Sequence, residues 1–213
     1  MRLKGAIFDM DGTILDSLGV WRTLGSRYLL SIGYEPKPTT DRLFKNFGMI
    51  QAADYYRSEY GVEMSVEEIL DGINTMIEQF YLEEAQLKPG VTELLERLRE
   101  AGVRMCLATA TDRYLAEPAL ERCGVRSYFG GIFTCGEAGH GKDEPHIYEA
   151  ALRFLGTPRE DTMVFEDALY AVRTAREAGF LVAAVHDPSE KRQEEIRELS
   201  DVYLDRIDQF RPM

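Results

Sequence analysis

Acidic residues follow two short apolar runs of the chain, at the points where those runs stop. The segment Asp9-Met-Asp-Gly-Thr13 comes directly after the run Gly5–Phe8, and the pair Glu166-Asp167 comes directly after Thr162–Phe165. Parallel strands place their carboxyl ends at one crevice, so we expect the four carboxylates to meet at one rim. Clustered carboxylates repel one another unless a cation is bound, and oxygen ligands suit Mg²⁺.

Two further polar groups have the same placement. Thr109-Ala-Thr111 begins where the apolar run Val103–Ala108 stops, and Lys142 lies between a predicted strand and a predicted helix. Each feature alone is typical of a turn or a helix cap. Their shared position at strand ends favours a functional site with carboxylates, hydroxyls and one ammonium group.

The elements that position these groups can be read from apolar runs of strand length that alternate with amphipathic helical stretches. Gly102 and Gly179 each follow a helical stretch and are placed to adopt a left-handed cap. The alternation predicts an α/β fold with a Rossmann-like parallel sheet covered by helices. The runs predicted as strands are Gly5–Phe8, Val103–Ala108, Gly131–Thr134, Thr162–Phe165, Leu181–Val185 and Val202–Leu204.

Residues 17–86 break the alternation and contain no convincing strand. Apolar residues keep helical spacing from Val66 to Tyr81, and Ser65 with Glu68 forms a capping box before them. We therefore predict a core domain of residues 1–16 and 87–213 with an inserted, all-helical cap domain of residues 17–86. Aromatic residues are expected in the cap's own core; they are Trp21, Tyr28, Phe44 and Tyr55.

Composition excludes several classes of function. The 213 residues carry a formal net charge of −12, which disfavours nucleic acid as a partner. We expect no membrane span and no signal peptide. The three cysteines are expected to be buried, reduced thiols, and the three histidines show no metal-ligand spacing. These features predict a cytoplasmic enzyme, as a monomer or weak dimer.

One competing interpretation is a P-loop NTPase or kinase, because Gly136–Lys142 fits the pattern GxxxxGK. Asp143 then stands where that loop needs a Ser or Thr hydroxyl, and its carboxylate would face the nucleotide phosphates. The interpretation also gives no role to the segment Asp9–Thr13. Both objections disfavour it.

The whole set of motifs resembles the haloacid dehalogenase superfamily. In chain order, Asp9–Ser17, Thr109, Gly141-Lys142 and Phe165–Asp167 are similar to its four motifs. The helical insert is similar to the small cap of the phosphoglycolate-phosphatase and β-phosphoglucomutase branch. The resemblance implies a Mg²⁺-dependent phosphatase acting on a small phosphorylated metabolite through an aspartyl-phosphate intermediate.

The resemblance also implies a role for each matching residue. Asp9 would be the nucleophile and Asp11 the general acid/base, while Thr109 and Lys142 would complete the catalytic set. Thr109 and Lys142, with the amides of Met10 and Ala110, would bind the phosphoryl group. Magnesium would be held by Asp9, Asp11 and Asp167, with Glu166 in the outer shell.

Within the branch, Asp11 predicts a phosphate ester as substrate, because family members that lack this acid act on other bonds. β-Phosphoglucomutases have a His twelve residues after the nucleophile, where this chain has Trp21, and this favours a hydrolase. The pattern Thr109-Ala-Thr111 resembles Ser-Ala-Ser of the mutases, so a phosphosugar mutase is the alternative. A non-catalytic phosphate-binding protein is disfavoured, because all the catalytic positions are filled.

Two parts of the chain bear on substrate affinity and choice. Asp143 follows Lys142 where the family pattern often has Pro, and this places a carboxylate beside the lysine. Lys45, Asn46 and Gln51 of the cap are candidates for substrate specificity, since related caps present a loop there; a solvated helix end is an equally good interpretation.

Overall fold

A computed structural model describes residues 3–44 and 47–212 of the chain. Its centre is a parallel sheet of six strands in the spatial order β3-β2-β1-β4-β5-β6. The predicted α/β fold with a parallel sheet is confirmed. The strands are β1 Gly5–Phe8, β2 Arg104–Thr109, β3 Ile132–Thr134, β4 Thr162–Glu166, β5 Leu181–Val185 and β6 Val202–Leu204.

The strands form where the chain is apolar on both faces. Every residue of β1 and β4 is buried, as expected for a sheet covered on both sides. The sequence predicted each strand to within one residue at either end. The register pairs Phe8 of β1 with Leu107 of β2 on one side and with Phe165 of β4 on the other. The three strands that precede the acidic and hydroxyl residues are therefore adjacent, and their carboxyl ends meet.

Helices cover this sheet and bury a core that includes Ile7, Val164 and Val182. Gly102 and Gly179, with φ of 74° and 82°, have the left-handed conformation predicted for them after helices. The helices of this part are α5 Val91–Glu100, α6 Arg113–Arg122, α7 Cys135–Ala138, α8 His146–Leu155, α9 Leu169–Glu177 and α10 Gln193–Leu199, with short 3₁₀ turns at Arg126–Tyr128, Arg159–Asp161 and Ile207–Gln209.

The segment between β1 and α5 is helical in all its regular elements that the structure describes. Ser65 caps the last long helix by accepting from the Glu68 amide, and the Glu68 carboxylate accepts from the Ser65 amide at 2.8 Å, as the capping box predicted. The elements are α1 Leu18–Ser31, α2 Thr40–Phe44, α3 Met49–Tyr60, α4 Val66–Gln79 and a π-helical turn, Phe80–Glu84.

The helical segment has its own aromatic core. Tyr28 is buried, and the ring of Tyr56 stacks on Phe44 while its hydroxyl donates to the Gly25 carbonyl at 2.8 Å. The prediction was wrong for Trp21, which is 45% exposed and not part of that core. The position of Trp21 in an apolar helical stripe could not distinguish the edge of the buried face from its centre.

The chain divides into two compact units. One runs to Asp16 and resumes at Ala85; the other is Ser17–Glu84. None of the described helices is long and apolar enough to cross a membrane. Cys106 is buried as predicted, whereas Cys123 and Cys135 are only partly buried.

Candidate active site

The carboxyl ends of β1 and β4 bring the predicted carboxylates together. Asp9 directly follows β1, and its amide donates to the Phe165 carbonyl at 2.9 Å, which continues the strand pairing into the site. Glu166 is the last residue of β4, and Asp167 follows it. Asp9, Glu166 and Asp167 are all buried, with exposed fractions of 6%, 1% and 4%. The sheet therefore holds three acidic side chains in a place where water does not screen them.

Lys142 is the cation of this cluster. Its ammonium donates to Asp9 Oδ1 and to Glu166 Oε1, the latter at 2.6 Å, and the side chain is 3% exposed. Burial opposes the charge, but the carboxylates of Asp9 and Glu166 outweigh it and hold the pKa of Lys142 above its usual range. The following Asp143 is exposed, so the two neighbouring side chains lie in different environments.

The same cluster fits a divalent metal ion. One oxygen of each of Asp9, Glu166 and Asp167 lies within 4.8 Å of the others, and Asp9 Oδ2 is buried with no hydrogen-bond partner among the described residues. Burial, followed by repulsion from neighbouring carboxylates, raises the pKa of Asp167 above its ordinary value; burial does the same to the pKa of Asp9 despite the nearby ammonium. Three carboxylates against one ammonium leave negative charge to be neutralised, and an all-oxygen set suits Mg²⁺.

Asp11 is held by the end of β2. The Thr111 hydroxyl donates to Asp11 Oδ2 at 2.6 Å, and the Thr111 amide donates to the Thr109 hydroxyl at 3.0 Å. Thr109 is fully buried, whereas Ala110 between the two threonines is exposed. The turn after β2 therefore fixes the orientation of the Asp11 carboxylate.

A tight turn carries Asp9 and Asp11. Gly12 has a φ of 84°, a conformation that favours glycine, and the carbonyl of buried Met10 accepts from two amides further along the turn. The Lys88 ammonium donates to the Gly12 carbonyl at 2.6 Å and to the His186 carbonyl at 2.9 Å, and it pairs with Asp187. A partly buried cation thus ties this turn to the residues that follow β5.

The sequence did not assign three of these supporting side chains to the site. The Tyr148 hydroxyl donates to Glu166 Oε1 at 3.0 Å, and the Thr13 hydroxyl lies 3.4 Å from Asp167 Oδ1. Lys88 is the third. Thr13 was within the acidic motif, and Tyr148 has helical spacing from buried neighbours, but neither signal names a partner.

The structure gives little support for the proposed specificity residues. Lys45 and Asn46 lie outside the described residues. Gln51 is exposed near the start of α3, and its side-chain oxygen accepts from the Gly48 amide at 2.9 Å. That contact is a helix-capping role, and whether Gln51 also contacts a substrate stays a prediction.

The chain is similar in sequence to known proteins over most of its length. Residues 3–179 match the family described as haloacid dehalogenase-like hydrolase. The chain is 28% identical over 184 residues to the phosphorylated carbohydrates phosphatase of Thermotoga maritima, over 83% of this chain and 82% of that protein. It is 32% identical over 202 residues to Protein CbbY of Rhodobacter capsulatus, over 89% and 87% of the two chains.

Solved structures show the same fold. A β-phosphoglucomutase candidate from Thermotoga maritima superposes with a TM-score of 0.85 at 24% identity, over 97% of this chain and 96% of that one. CbbY from Rhodobacter sphaeroides, solved with phosphate, superposes with a TM-score of 0.73 at 22% identity, with the same coverage.

Proposed function

The chain belongs to the haloacid dehalogenase-like hydrolases, and from that premise we propose that it is a Mg²⁺-dependent phosphatase of small phosphate monoesters with Asp9 as its nucleophile. The observation that carries the proposal is the environment of Asp9. Lys142 binds one of its oxygens, while the other is buried without a hydrogen-bond partner among the described residues. One oxygen of the same carboxylate lies within 4.8 Å of an oxygen of Glu166 and one of Asp167. A carboxylate so placed is restrained, and the Lys142 ammonium lowers its pKa against the effect of burial, which favours the ionised form that a nucleophile requires.

In the first step, a carboxylate oxygen of Asp9 attacks phosphorus. A bond forms between that oxygen and phosphorus, and the bond from phosphorus to the ester oxygen breaks. Asp11 gives its proton to the departing ester oxygen, so the alcohol leaves neutral. The product of this step is a phosphorylated Asp9.

In the second step, Asp11 takes a proton from a water molecule as that water attacks phosphorus. The acyl-phosphate bond breaks, inorganic phosphate is released, and Asp9 is regenerated as a carboxylate. The hydrogen bond from Thr111 to Asp11 supports both steps, since it restrains the carboxylate that transfers the proton.

The groups around Asp9 offset the negative charges of the nucleophile and the phosphoryl group. Asp9, Asp167 and the Asp11 carbonyl would hold Mg²⁺, with Glu166 in the outer shell. The bound ion would supply positive charge that reduces repulsion between the nucleophile and an anionic ester. Lys142 contributes a second, compact positive charge that can reach both Asp9 and the phosphoryl oxygens. Thr109, with the amides of Met10 and Ala110, binds the phosphoryl group.

The substrate class that we propose is a phosphorylated carbohydrate. The relative from Thermotoga maritima is named a phosphorylated carbohydrates phosphatase, and the coverage of both chains is high. We assign substrate choice to the helical insert, residues 17–86, in which Lys45, Asn46 and Gln51 are the first positions to vary.

The test is phosphate release from an aryl phosphate and a panel of sugar phosphates, with Mg²⁺, with EDTA, and with the variant Asp9→Asn. We expect release that requires Mg²⁺, that is greatest for one group of sugar phosphates, and that falls roughly 1,000-fold or more in Asp9→Asn. Turnover that survives in folded Asp9→Asn would overturn the proposal. Conversion of β-glucose 1-phosphate in the presence of a bisphosphate primer, without net phosphate release, would instead establish the mutase alternative.

A further inference from the structure

Two of the three histidines meet at the surface, although the sequence showed no metal-ligand spacing among them. His140 lies in the loop between α7 and α8, His146 is the first residue of α8, and Glu144 lies between them in the chain. Glu144 Oε2 is 3.3 Å from His140 Nδ1 and 3.3 Å from His146 Nδ1. Spacing along the chain did not indicate this contact, because the loop folds back on itself and brings the three side chains together.

The two distances to Glu144 Oε2 match the separation of ligand atoms in a tetrahedral metal site. Zinc binds imidazole nitrogen and carboxylate oxygen at about 2.0–2.2 Å, so two ligand atoms of a tetrahedral site lie about 3.3–3.5 Å apart. The donor atoms of His140, Glu144 and His146 already lie within 4.8 Å of one another. Little movement of the backbone is needed to bring all three to one ion.

The side chains have room to make the remaining adjustment. The two imidazole rings are stacked, with centroids 3.9 Å apart and planes 9° apart. A metal ion lies in the plane of each imidazole that binds it, so at least one ring must turn out of the stack. Both histidine side chains are about half exposed, at 42% and 52%, so one side of each faces solvent, into which a ring can turn.

We propose that His140, Glu144 and His146 form a surface site for Zn²⁺ or a divalent transition metal of similar chemistry, with water completing its coordination. The donor set, two nitrogens and one oxygen, differs from the all-oxygen cluster of Asp9, Glu166 and Asp167. Imidazole suits zinc, copper and nickel, whereas carboxylates suit magnesium. The two sites therefore select different ions.

The position of this site gives it a consequence for the catalytic loop. Lys142, whose ammonium is buried against Asp9 and Glu166, lies between His140 and Glu144 in the chain. An ion that joins the two ends of this segment restrains the loop that carries the lysine. The site thus couples the local stability of the Lys142 loop to transition-metal binding.

The experiment titrates the full chain with Zn²⁺, and in parallel with Co²⁺, in excess Mg²⁺ so that the acidic cluster is saturated. We expect one Zn²⁺ bound per chain, and Co²⁺ absorption bands of a site with nitrogen ligands. The variants His140→Ala and His146→Ala should each weaken binding at least 10-fold. The matched control is His186→Gln, which changes the remaining histidine, bonded to Tyr203, and should leave binding unchanged.

A second readout places the ion on the loop. Amide hydrogen exchange of residues 139–146 should slow when Zn²⁺ binds the parent protein, and not when it is added to His140→Ala. The proposal is overturned by the absence of Zn²⁺ binding at micromolar concentrations, by binding that is unchanged in both histidine variants, or by stoichiometric binding that leaves exchange of this segment unaltered.

Discussion

The Thr111 hydroxyl donates a hydrogen bond of 2.6 Å to Asp11 Oδ2, and this contact joins the turn after β2 to the acidic turn after β1. The Thr111 amide donates to the buried Thr109 hydroxyl, and this hydrogen bond orients Thr111. The residue to which we assign proton transfer is thus positioned by Thr111, two places after Thr109, the threonine that we propose binds the phosphoryl group.

Replacement of Thr111 by Val should lower kcat about 10-fold to 100-fold, with a smaller effect on KM. A hydrogen bond to a charged group contributes about 1.5–3 kcal/mol, and each 1.4 kcal/mol is about a factor of ten in rate. Steady-state kinetics on the best substrate provide the measurement. Thr111→Ser, which keeps the hydroxyl, should recover most of the rate; a fully active Thr111→Val would show that Asp11 needs no such restraint.

Replacement of Lys142 by Met should reduce phosphatase activity roughly 100-fold or more, because it removes the ammonium that pairs with Asp9 and Glu166. It should also lower the free energy of unfolding without metal by about 3 kcal/mol, since the buried carboxylates lose their partner. Denaturant unfolding in EDTA and in Mg²⁺ provides the measurement.

Mg²⁺ should restore more stability to the Lys142→Met variant than to the parent protein, because it neutralises the same carboxylates. Asp143→Asn is the control for a change of charge in the neighbouring position, since Asp143 is exposed. If Mg²⁺ raised the free energy of unfolding of variant and parent equally, the claim that Lys142 and Mg²⁺ neutralise the same carboxylates would be wrong.

Replacement of Tyr148 by Phe should weaken the binding of Mg²⁺ rather than slow the chemical step. The hydroxyl donates to Glu166 Oε1 and helps to orient that carboxylate. Loss of such a supporting contact commonly reduces metal affinity 10-fold to 100-fold. We expect the Mg²⁺ concentration for half-maximal activity to rise about 10-fold, with kcat at saturating Mg²⁺ within a factor of about three of the parent's. A lower kcat at every Mg²⁺ concentration would place Tyr148 in the chemical step.

The ion pair of Lys88 and Asp187 should make the stability of the folded protein depend on pH in the acidic range. Burial opposes the charge of Asp187, but hydrogen bonds from Ser189 and the nearby Lys88 ammonium outweigh it and hold the pKa of Asp187 below its ordinary value. A carboxylate with a lowered folded-state pKa stabilises the protein above its unfolded pKa of about 3.9, and this contribution disappears as pH falls through the folded-state value.

The variant Asp187→Asn tests this dependence. At pH 7 it should be less stable than the parent by about 1–3 kcal/mol. The difference should shrink as the pH falls below about 4. Urea unfolding at several pH values gives the two curves; a difference that is constant down to strong acid would exclude a charged Asp187 as its source.

The strands were predictable because a sheet buried on both faces needs nearly uninterrupted apolar runs, and β1, β5 and β6 match their predicted ends. The meeting of Asp9 with Glu166 followed from the rule that parallel strands share a carboxyl edge. Hydrogen bonds between distant residues could not be predicted in this way. Thr13 and Asp167 are 154 positions apart and Thr111 and Asp11 are 100 apart, and neither periodicity nor local spacing records such pairs.

Surface geometry was the other part that the sequence could not supply. The spacing of His140 and His146 does not by itself place both beside Glu144, and only the fold of the loop shows that both reach it. Likewise, an apolar stripe could not show that Trp21 lies at the exposed edge of its helix.

The central claim is that Asp9 becomes covalently phosphorylated. The most direct test is rapid acid quenching of the protein during turnover in Mg²⁺, followed by mass spectrometry of its peptides. The account predicts a mass gain of one phosphoryl group on the peptide that contains Asp9, present only during turnover and absent in Asp9→Asn and in EDTA. The account would be contradicted by active protein that shows no phosphorylated Asp9 peptide at any quench time and that releases phosphate with inversion, rather than retention, of configuration at phosphorus.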